Sequence, residues 1–196
     1  MPGVGGVDEA GRGPLAGPVV AAVVVMYAGQ KINGVRDSKQ LSAARRKTLA
    51  EQIKVEAVGW SLGRATVEEI DELNILQATM LAMRRAIEGL GFLPERLQFD
   101  GDRAPPLRDY NGVVETIVGG DRLCIAISAA SILAKVDRDR EMIALDRDFP
   151  DYGFARHKGY ATAEHRAALQ RFGACPVHRR SFRPVQLAIN AQVQIA

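Results

Sequence analysis

Apolar positions along the chain alternate between strand-like runs and helical spacing. Gly3 to Asp8 reads as a short strand, and Pro18 to Met26 as a continuous apolar run rich in β-branched residues, the pattern of a strand buried on both faces. The turn Gly11 to Gly17 between them predicts a hairpin-like opening. Ser42 is placed to cap a helix over Ala43 to Glu56, after which Val58 to Arg64 returns to strand. Thr66 and Glu69 have the spacing of a capping box, opening a short helix that leads into a longer one from Ile75 to Glu88, closed by Gly89 and Gly91. Leu97 to Asp100 and Val113 to Val118 are short strands, each running into an acid beside glycine. A long helix over Ser128 to Asp148, another from Thr162 to Phe172 and a last near Pro184 to Asn190 follow. Strands come first and helices last, with no linker between them. One α/β domain over 1–196 is therefore expected, with a core over about 1–148 and a helical extension over about 149–196.

Composition narrows the class. A chain of 196 residues buries about two-thirds of its unfolded surface. With 47% hydrophobic and 25% charged residues it has ordinary globular make-up, and there is no internal repeat or low-complexity tract. The longest apolar run, Val19 to Tyr27, falls far short of the ~20 residues that cross a bilayer, and no basic segment precedes it as in a signal peptide. A soluble cytoplasmic protein with no membrane partner is expected. Cys124 and Cys175 form no Cys-x-x-Cys pair, so reduced thiols are expected rather than a zinc site or a disulfide.

Charge is distributed unevenly. From Asp151 onward the chain carries a formal +5, against −2 for the first 150 residues. The aromatics Tyr152, Phe154, Tyr160 and Phe182 lie among those basic residues, where one of them would be placed to stack on a sugar or base. Charge alone fits a solvated basic face equally well.

Candidate chemistry rests on acids. Asp8, Asp100 and Asp121 each end an apolar strand-like segment, and Glu9 follows Asp8 directly. Any one of them beside glycine is explained as a turn former. Together they predict a carboxylate cluster at the loops beyond the strands, where α/β sheets bind ligands. Successive strand residues face opposite ways, so Asp8 and Glu9 share a site only if the strand breaks there, which Ala10-Gly11 permits. Such a cluster needs cations, and hard oxygen donors select Mg²⁺ or Mn²⁺ over zinc. His157, His165 and His178 lack ligand spacing and are expected to be solvated or structural. Gly11-x-Gly13-x-x-x-Gly17 has the wrong spacing for a dinucleotide fingerprint, and neither a P-loop nor a Gly-x-Ser-x-Gly elbow is present.

Several motifs in order carry a resemblance. The segment Gly6-Val7-Asp8-Glu9-Ala10-Gly11-Arg12-Gly13-Pro14 resembles the signature of bacterial ribonuclease HII, in the type 2 ribonuclease H family. Asp37-Ser38-Lys39, Asn74-Ile75-Leu76, Asp100-Gly101, the stretch Ile127 to Asp139, Tyr152 to Thr162 and His178-Arg179-Arg180-Ser181-Phe182 follow in family order across nearly the whole chain. The resemblance implies a ribonuclease H-like mixed sheet flanked by helices. It also implies an Asp-Glu-Asp-Asp metal site of Asp8, Glu9, Asp100 and Asp121, with Asp102 an alternative to Asp100. Gly11, Arg12 and Gly13 are implied to read a ribonucleotide 2′-hydroxyl, and Tyr160 to stack under the deoxyribose that follows it. Lys39, Asn74 and Lys135 are implied as weaker phosphate or active-site contacts.

The implied activity is endonucleolytic hydrolysis of RNA in RNA–DNA hybrids and on the 5′ side of single ribonucleotides in duplex DNA, leaving 3′-hydroxyl and 5′-phosphate ends. Two divalent ions about 3.5–4 Å apart stabilise the attacking and leaving oxygens of such a reaction. A monomer is expected, and the tail Ala191 to Ala196 lacks an aromatic motif for a sliding clamp. Three rivals remain: ribonuclease HIII, which carries an extra N-terminal domain and another residue at the Arg12 position; a non-catalytic hybrid-binding module; and a metal phosphoesterase for small substrates.

Overall fold

The structure, a computed structural model, describes residues 3–35 and 41–193. In chain order these form β1 (Val4–Ala10), β2 (Val19–Met26), α1 (Ala43–Glu56), β3 (Gly59–Ala65), α2 (Val67–Leu73), α3 (Ile75–Glu88), β4 (Arg96–Asp100), β5 (Val113–Ile117), α4 (Gly120–Leu123), α5 (Ile125–Asp148), α6 (Phe154–His157), α7 (Ala163–Phe172) and α8 (Arg183–Val193). One mixed sheet runs β3-β2-β1-β4-β5. Strands β1, β2 and β3 are antiparallel neighbours, while β4 and β5 lie parallel to β1.

The fully apolar β2 is buried on both faces, as its composition predicts. Its Ala22, Val24 and Met26 pack under α1 and α5 with Leu49, Ile53, Ala130 and Leu133. Val19, Ala21 and Val23 pack on the other face with Ala82, Met83, Leu97 and Phe99, beneath α3. Helix α5 approaches β1 so closely that a side chain at Gly6 would collide with the backbone of Ala126 and Ile127. The caps fall where expected. Ser42 accepts from Arg45 N–H at 3.2 Å, and Thr66 and Glu69 close a reciprocal capping box.

Two boundaries depart from expectation in ways that affect the site. Strand β1 does not break after Asp8, because its ladder continues through Glu9↔Ala21 and Ala10↔Val20, and the chain turns only at Gly11, with φ +98°. Asp121 does not end a strand but sits in the first turn of α4, reached through the left-handed Gly119. The C-terminal region packs back on the opening turn, where Gly17 N–H donates to Val177 C=O at 2.9 Å and Arg179 N–H to Leu15 C=O at 2.9 Å.

Candidate active site

The strand register brings the acids to one end of the sheet. Val7 of β1 pairs with Phe99 of β4, and both side chains lie in the core under α3. The next residues, Asp8 and Asp100, therefore turn to the α5 face on parallel strands about 4.8 Å apart. Asp8 is 6% exposed, and its Oδ1 accepts the Glu9 N–H at 2.7 Å. Burial, reinforced by the charges of Glu9 and Asp100, raises its pKa well above 3.8, against the pull of hydrogen bonds from the Glu9 backbone and Ser131. Glu9 leaves β1 on the opposite face and meets Arg12 at 3.3 Å. Burial raises its pKa too, against the lowering effect of Arg12 and with a further push from Asp100. Asp100 is thus felt by both acids even though the strand does not break.

Asp121 enters from α4. Its backbone N–H donates to Asp100 Oδ1 at 3.4 Å, and the residue is 2% exposed. Asp102, beyond the Gly101 turn, has an 80% exposed side chain facing Arg103 at 3.9 Å. Asp100 thus bears on each of the other three acids, but among the described residues no three acid, histidine or cysteine side chains are grouped tightly enough to hold an ion as they stand. The donor set nevertheless suits a hard divalent cation. All its donors are carboxylate oxygens, and charging Asp8 and Glu9 where burial and the nearby Asp100 disfavour it is a cost that a cation relieves.

Two clefts flank Glu9 and Arg12. One, of about 410 Å³, is lined by Gly11, Arg12, Gly13, Lys135 and Tyr160 together with Glu9. The other, of about 300 Å³, has Asp100 and Asp102 in its wall. Tyr160 is 46% exposed, and Lys135 is held by Asp139 at 2.7 Å. Asn74 is not brought to either cleft. It caps α3, its Oδ1 accepting the N–H groups of Leu76 at 3.0 Å and Gln77 at 3.2 Å. Lys39 lies outside the described residues.

Of the four aromatics among the basic residues only Tyr160 presents a face to a cleft. Tyr152 and Phe154 are buried and stacked at 5.5 Å, and Phe182 lies beneath the Arg179 guanidinium at 5.2 Å. The basic extension is also less of a surface than its formal charge suggests. Arg156 pairs with Glu164, and Arg179 is wholly buried.

Two residues to which the sequence assigned no role organise the opening turn. Arg179 donates to the carbonyls of Gly11 (2.6 Å), Arg12 (2.9 Å), Pro14 (2.8 Å), Gly17 (2.9 Å) and Pro18 (3.1 Å). Arg138 donates to Ala16 (3.1 Å), Pro18 (3.1 Å) and Lys158 (3.0 Å). A side chain on Gly11 would fall inside the Arg138 guanidinium. A signal for Arg138 does exist in the sequence: it continues the buried stripe Ile127, Ala130, Ala134 on α5 at helical spacing, where a charge needs polar partners.

Comparison with known proteins bears on all of this. The family model described as Ribonuclease HII matches residues 5–185. A ribonuclease HII of Paracidovorax citrulli is 61% identical over 190 residues, spanning 97% of this chain and 78% of that protein. The solved ribonuclease H2 of Pyrococcus horikoshii superposes with a TM-score of 0.81 at 28% identity, over 96% of this chain and 98% of that one. Bst-RNase HIII, solved in complex with Mn²⁺, shares the fold with a TM-score of 0.78 at 19% identity, over 98% of this chain and 70% of its own. The sheet is the ribonuclease H-like mixed sheet that the resemblance implied, with its helical C-terminal region. The chain belongs to the ribonuclease HII family and is a ribonuclease H, a hydrolase of phosphodiester bonds.

Proposed function

We propose that this enzyme cuts the RNA strand of RNA–DNA hybrids and the bond on the 5′ side of single ribonucleotides embedded in duplex DNA, leaving 3′-hydroxyl and 5′-phosphate ends. The observation that carries the reading is the placing of Asp8, Glu9 and Asp100 together at the end of β1 and β4, where burial, with the charge of Asp100 added to it, raises the pKa of the first two. Asp8, Glu9, Asp100 and Asp121 would hold Mg²⁺ or Mn²⁺, and bound ions supply an acidified water and neutralise charge developing on the attacking and leaving oxygens.

The chain's own residues bring the substrate to that point. Gly11 and Gly13 let a ribose approach the backbone closely, so that a 2′-hydroxyl meets peptide groups where a side chain would hold it away. Arg12, 50% exposed on its side chain and already within reach of Glu9, offers a cation beside the scissile phosphate. Tyr160, across the same cleft, presents a ring for the following deoxyribose. Lys135 lines that cleft as a further phosphate contact. The reading is of one monomeric catalytic unit in the cytoplasm, acting on nucleic acid. Among the described residues, no helix is long and apolar enough to cross a membrane.

The test compares a DNA duplex with one embedded ribonucleotide, an all-DNA duplex and an all-RNA duplex, each with Mg²⁺ or Mn²⁺, for the parent and Asp100→Asn. Cleavage by the parent only at the ribonucleotide, abolished in Asp100→Asn with hybrid binding retained, is the expected result. Equal cleavage rates for the two proteins would remove Asp100 from the site and the proposal with it.

A further inference from the structure

Behind Tyr160 lies a cluster of groups that the proposed chemistry leaves unused. His165 and His178 are wholly buried, and their Nε2 atoms stand 2.9 Å apart. His165 Nδ1 is 2.9 Å from the Tyr160 carbonyl oxygen. His178 Nδ1 accepts the Cys175 N–H at 3.0 Å, with the Cys175 Sγ also at 3.0 Å. His157 stacks on His165 with ring centroids 4.5 Å apart. Its Nε2 meets the Tyr152 carbonyl at 2.8 Å, and its Nδ1 accepts the Gly159 N–H at 3.2 Å.

Elementary donor and acceptor rules fix every proton in this chain. A carbonyl only accepts, so His165 carries its hydrogen on Nδ1 and presents a lone pair at Nε2. His178 must then carry its hydrogen on Nε2, which leaves its Nδ1 free to accept from Cys175. His157 by the same reasoning is protonated on Nε2. All three rings are neutral, and burial together with their mutual proximity lowers the pKa of His165 and His178. The result is a one-way relay that starts at the Cys175 backbone N–H and ends at the Tyr160 carbonyl.

We propose that this imidazole relay is a positioning device for Tyr160, holding its peptide so that the ring stands in the cleft where the RNA-to-DNA junction is read. The segment leading to Tyr160 needs such support. Lys158 and Gly159 are consecutive left-handed residues, with φ of +51° and +81°, and a non-glycine residue adopts that region at a cost. The Tyr160 peptide is held at both ends. Its N–H donates to the His157 carbonyl at 2.9 Å, and its carbonyl accepts from Thr162 N–H at 2.8 Å as well as from His165. Gly159 C=O accepts from Leu15 N–H at 2.8 Å, so the peptide that leads into Tyr160 is also tied to the opening turn. The inference rests on the reading of Tyr160 as the sugar-stacking residue, and the experiment separates the two.

The ratio of cleavage rates on a single-ribonucleotide duplex and on a uniform RNA–DNA hybrid is measured for the parent, Tyr160→Ala, His165→Gln and His165→Asn. Asparagine restores a donor at the Nδ1 position facing Tyr160, whereas glutamine restores only the Nε2 position. Tyr160→Ala and His165→Gln are each expected to lower the ratio about tenfold, with His165→Asn close to the parent, because the last alone keeps the bond to the Tyr160 carbonyl. An unchanged ratio in Tyr160→Ala overturns the stacking role and the relay's purpose together. A fall in Tyr160→Ala with no change in His165→Gln overturns the relay alone. The intact protein gives a second arm that no folding failure can obscure, since long-range ¹H–¹⁵N correlation reports imidazole tautomers. Nδ1–H for His165 and Nε2–H for His178 and His157 near neutral pH are expected, and any charged ring or reversed tautomer overturns the proposal.

Discussion

Replacing Asp8 by asparagine tests whether the acids at the strand ends are held together against their own repulsion. Oδ1 of Asp8 accepts the Glu9 N–H, and an amide oxygen keeps that bond while removing the charge. The folded state raises the Asp8 pKa above 3.8, so it prefers the protonated carboxyl. The penalty is absent below the ordinary value, appears as pH rises through the raised one, and is fully present above it. Each pH unit of that rise is worth about 1.4 kcal/mol, and in a protein of this size 1 kcal/mol moves Tm by about 2–4 °C. Asp8→Asn is therefore expected to raise the Tm of the chelated protein near pH 8, by about 2–4 °C for each kcal/mol of that penalty it removes, with the gain shrinking as the pH falls toward the ordinary carboxylate range. Thermal unfolding followed by circular dichroism in EDTA across that range reads the effect. Adding excess Mg²⁺ should then raise the parent's Tm more than the variant's. A variant less stable than the parent near pH 8 in EDTA would refute the reasoning, because the carboxylate would then be a net stabilising partner.

Three further outcomes follow from the packing. Gly11→Ala forces a left-handed φ on alanine and drives its methyl into Arg138, so a loss of at least about 2 kcal/mol by denaturant unfolding is expected, and an unchanged midpoint would contradict the loop geometry. Arg179→Met takes a donor from the carbonyls of Gly11, Arg12, Pro14, Gly17 and Pro18, of which Pro18 keeps Arg138, and should cost about 3–5 kcal/mol, with a loss below about 1 kcal/mol showing that they find other partners. His178 is neutral in the folded state, its pKa lowered to about 4 by burial and by His165, so the stability it permits is present above 6.5 and is lost as pH falls through about 4. That loss amounts to about 3 kcal/mol, and His178→Gln should flatten the acid side of the stability profile, which urea titrations at a series of pH values would show.

What the sequence disclosed depended on whether the governing interaction was local. The β-branched run of β2 and the caps Ser42 and Thr66 are local signals, and each produced its element. Asn74 carried a local signal as well, a capping residue just before Ile75, and that is the role it takes. The end of β1 was not local, since it is set by the pairing of Glu9 and Ala10 with Ala21 and Val20 on the next strand. Asp8, Glu9 and Asp100 were legible as a group through their places at apolar segments. How Asp8 and Asp100 come to face the same way followed only from the Val7↔Phe99 register. The partners of Arg179 lie more than 160 positions away in the chain, beyond the reach of any periodicity, and the histidine relay joins residues with no ligand-like spacing.

The two buried arginines give the glycine turn a polarity that the glycines alone do not provide. Among the described residues neither has an ion-pair partner, and their donors go to carbonyls of Gly11, Arg12, Pro14, Ala16, Gly17 and Pro18 and, from Arg138, of Lys158. Asp71, whose charge bears on Arg179, spends its own oxygens on the N–H groups of the next two residues, Arg180 (2.9 Å) and Ser181 (2.8 Å). Drawing the carbonyls inward turns their negative ends away from the cleft, while among the described residues the N–H groups of Arg12 and Gly13 take no backbone acceptor. Two guanidinium charges beneath such a turn make its outer face electropositive, and the low dielectric around them weakens that field less than water would. On the proposed reading a phosphodiester drawn to that face would lie beside Glu9, which lines the same cleft. On the same reading the arginines would complement the carboxylates, one set placed to attract the substrate's anion and the other to hold a cation.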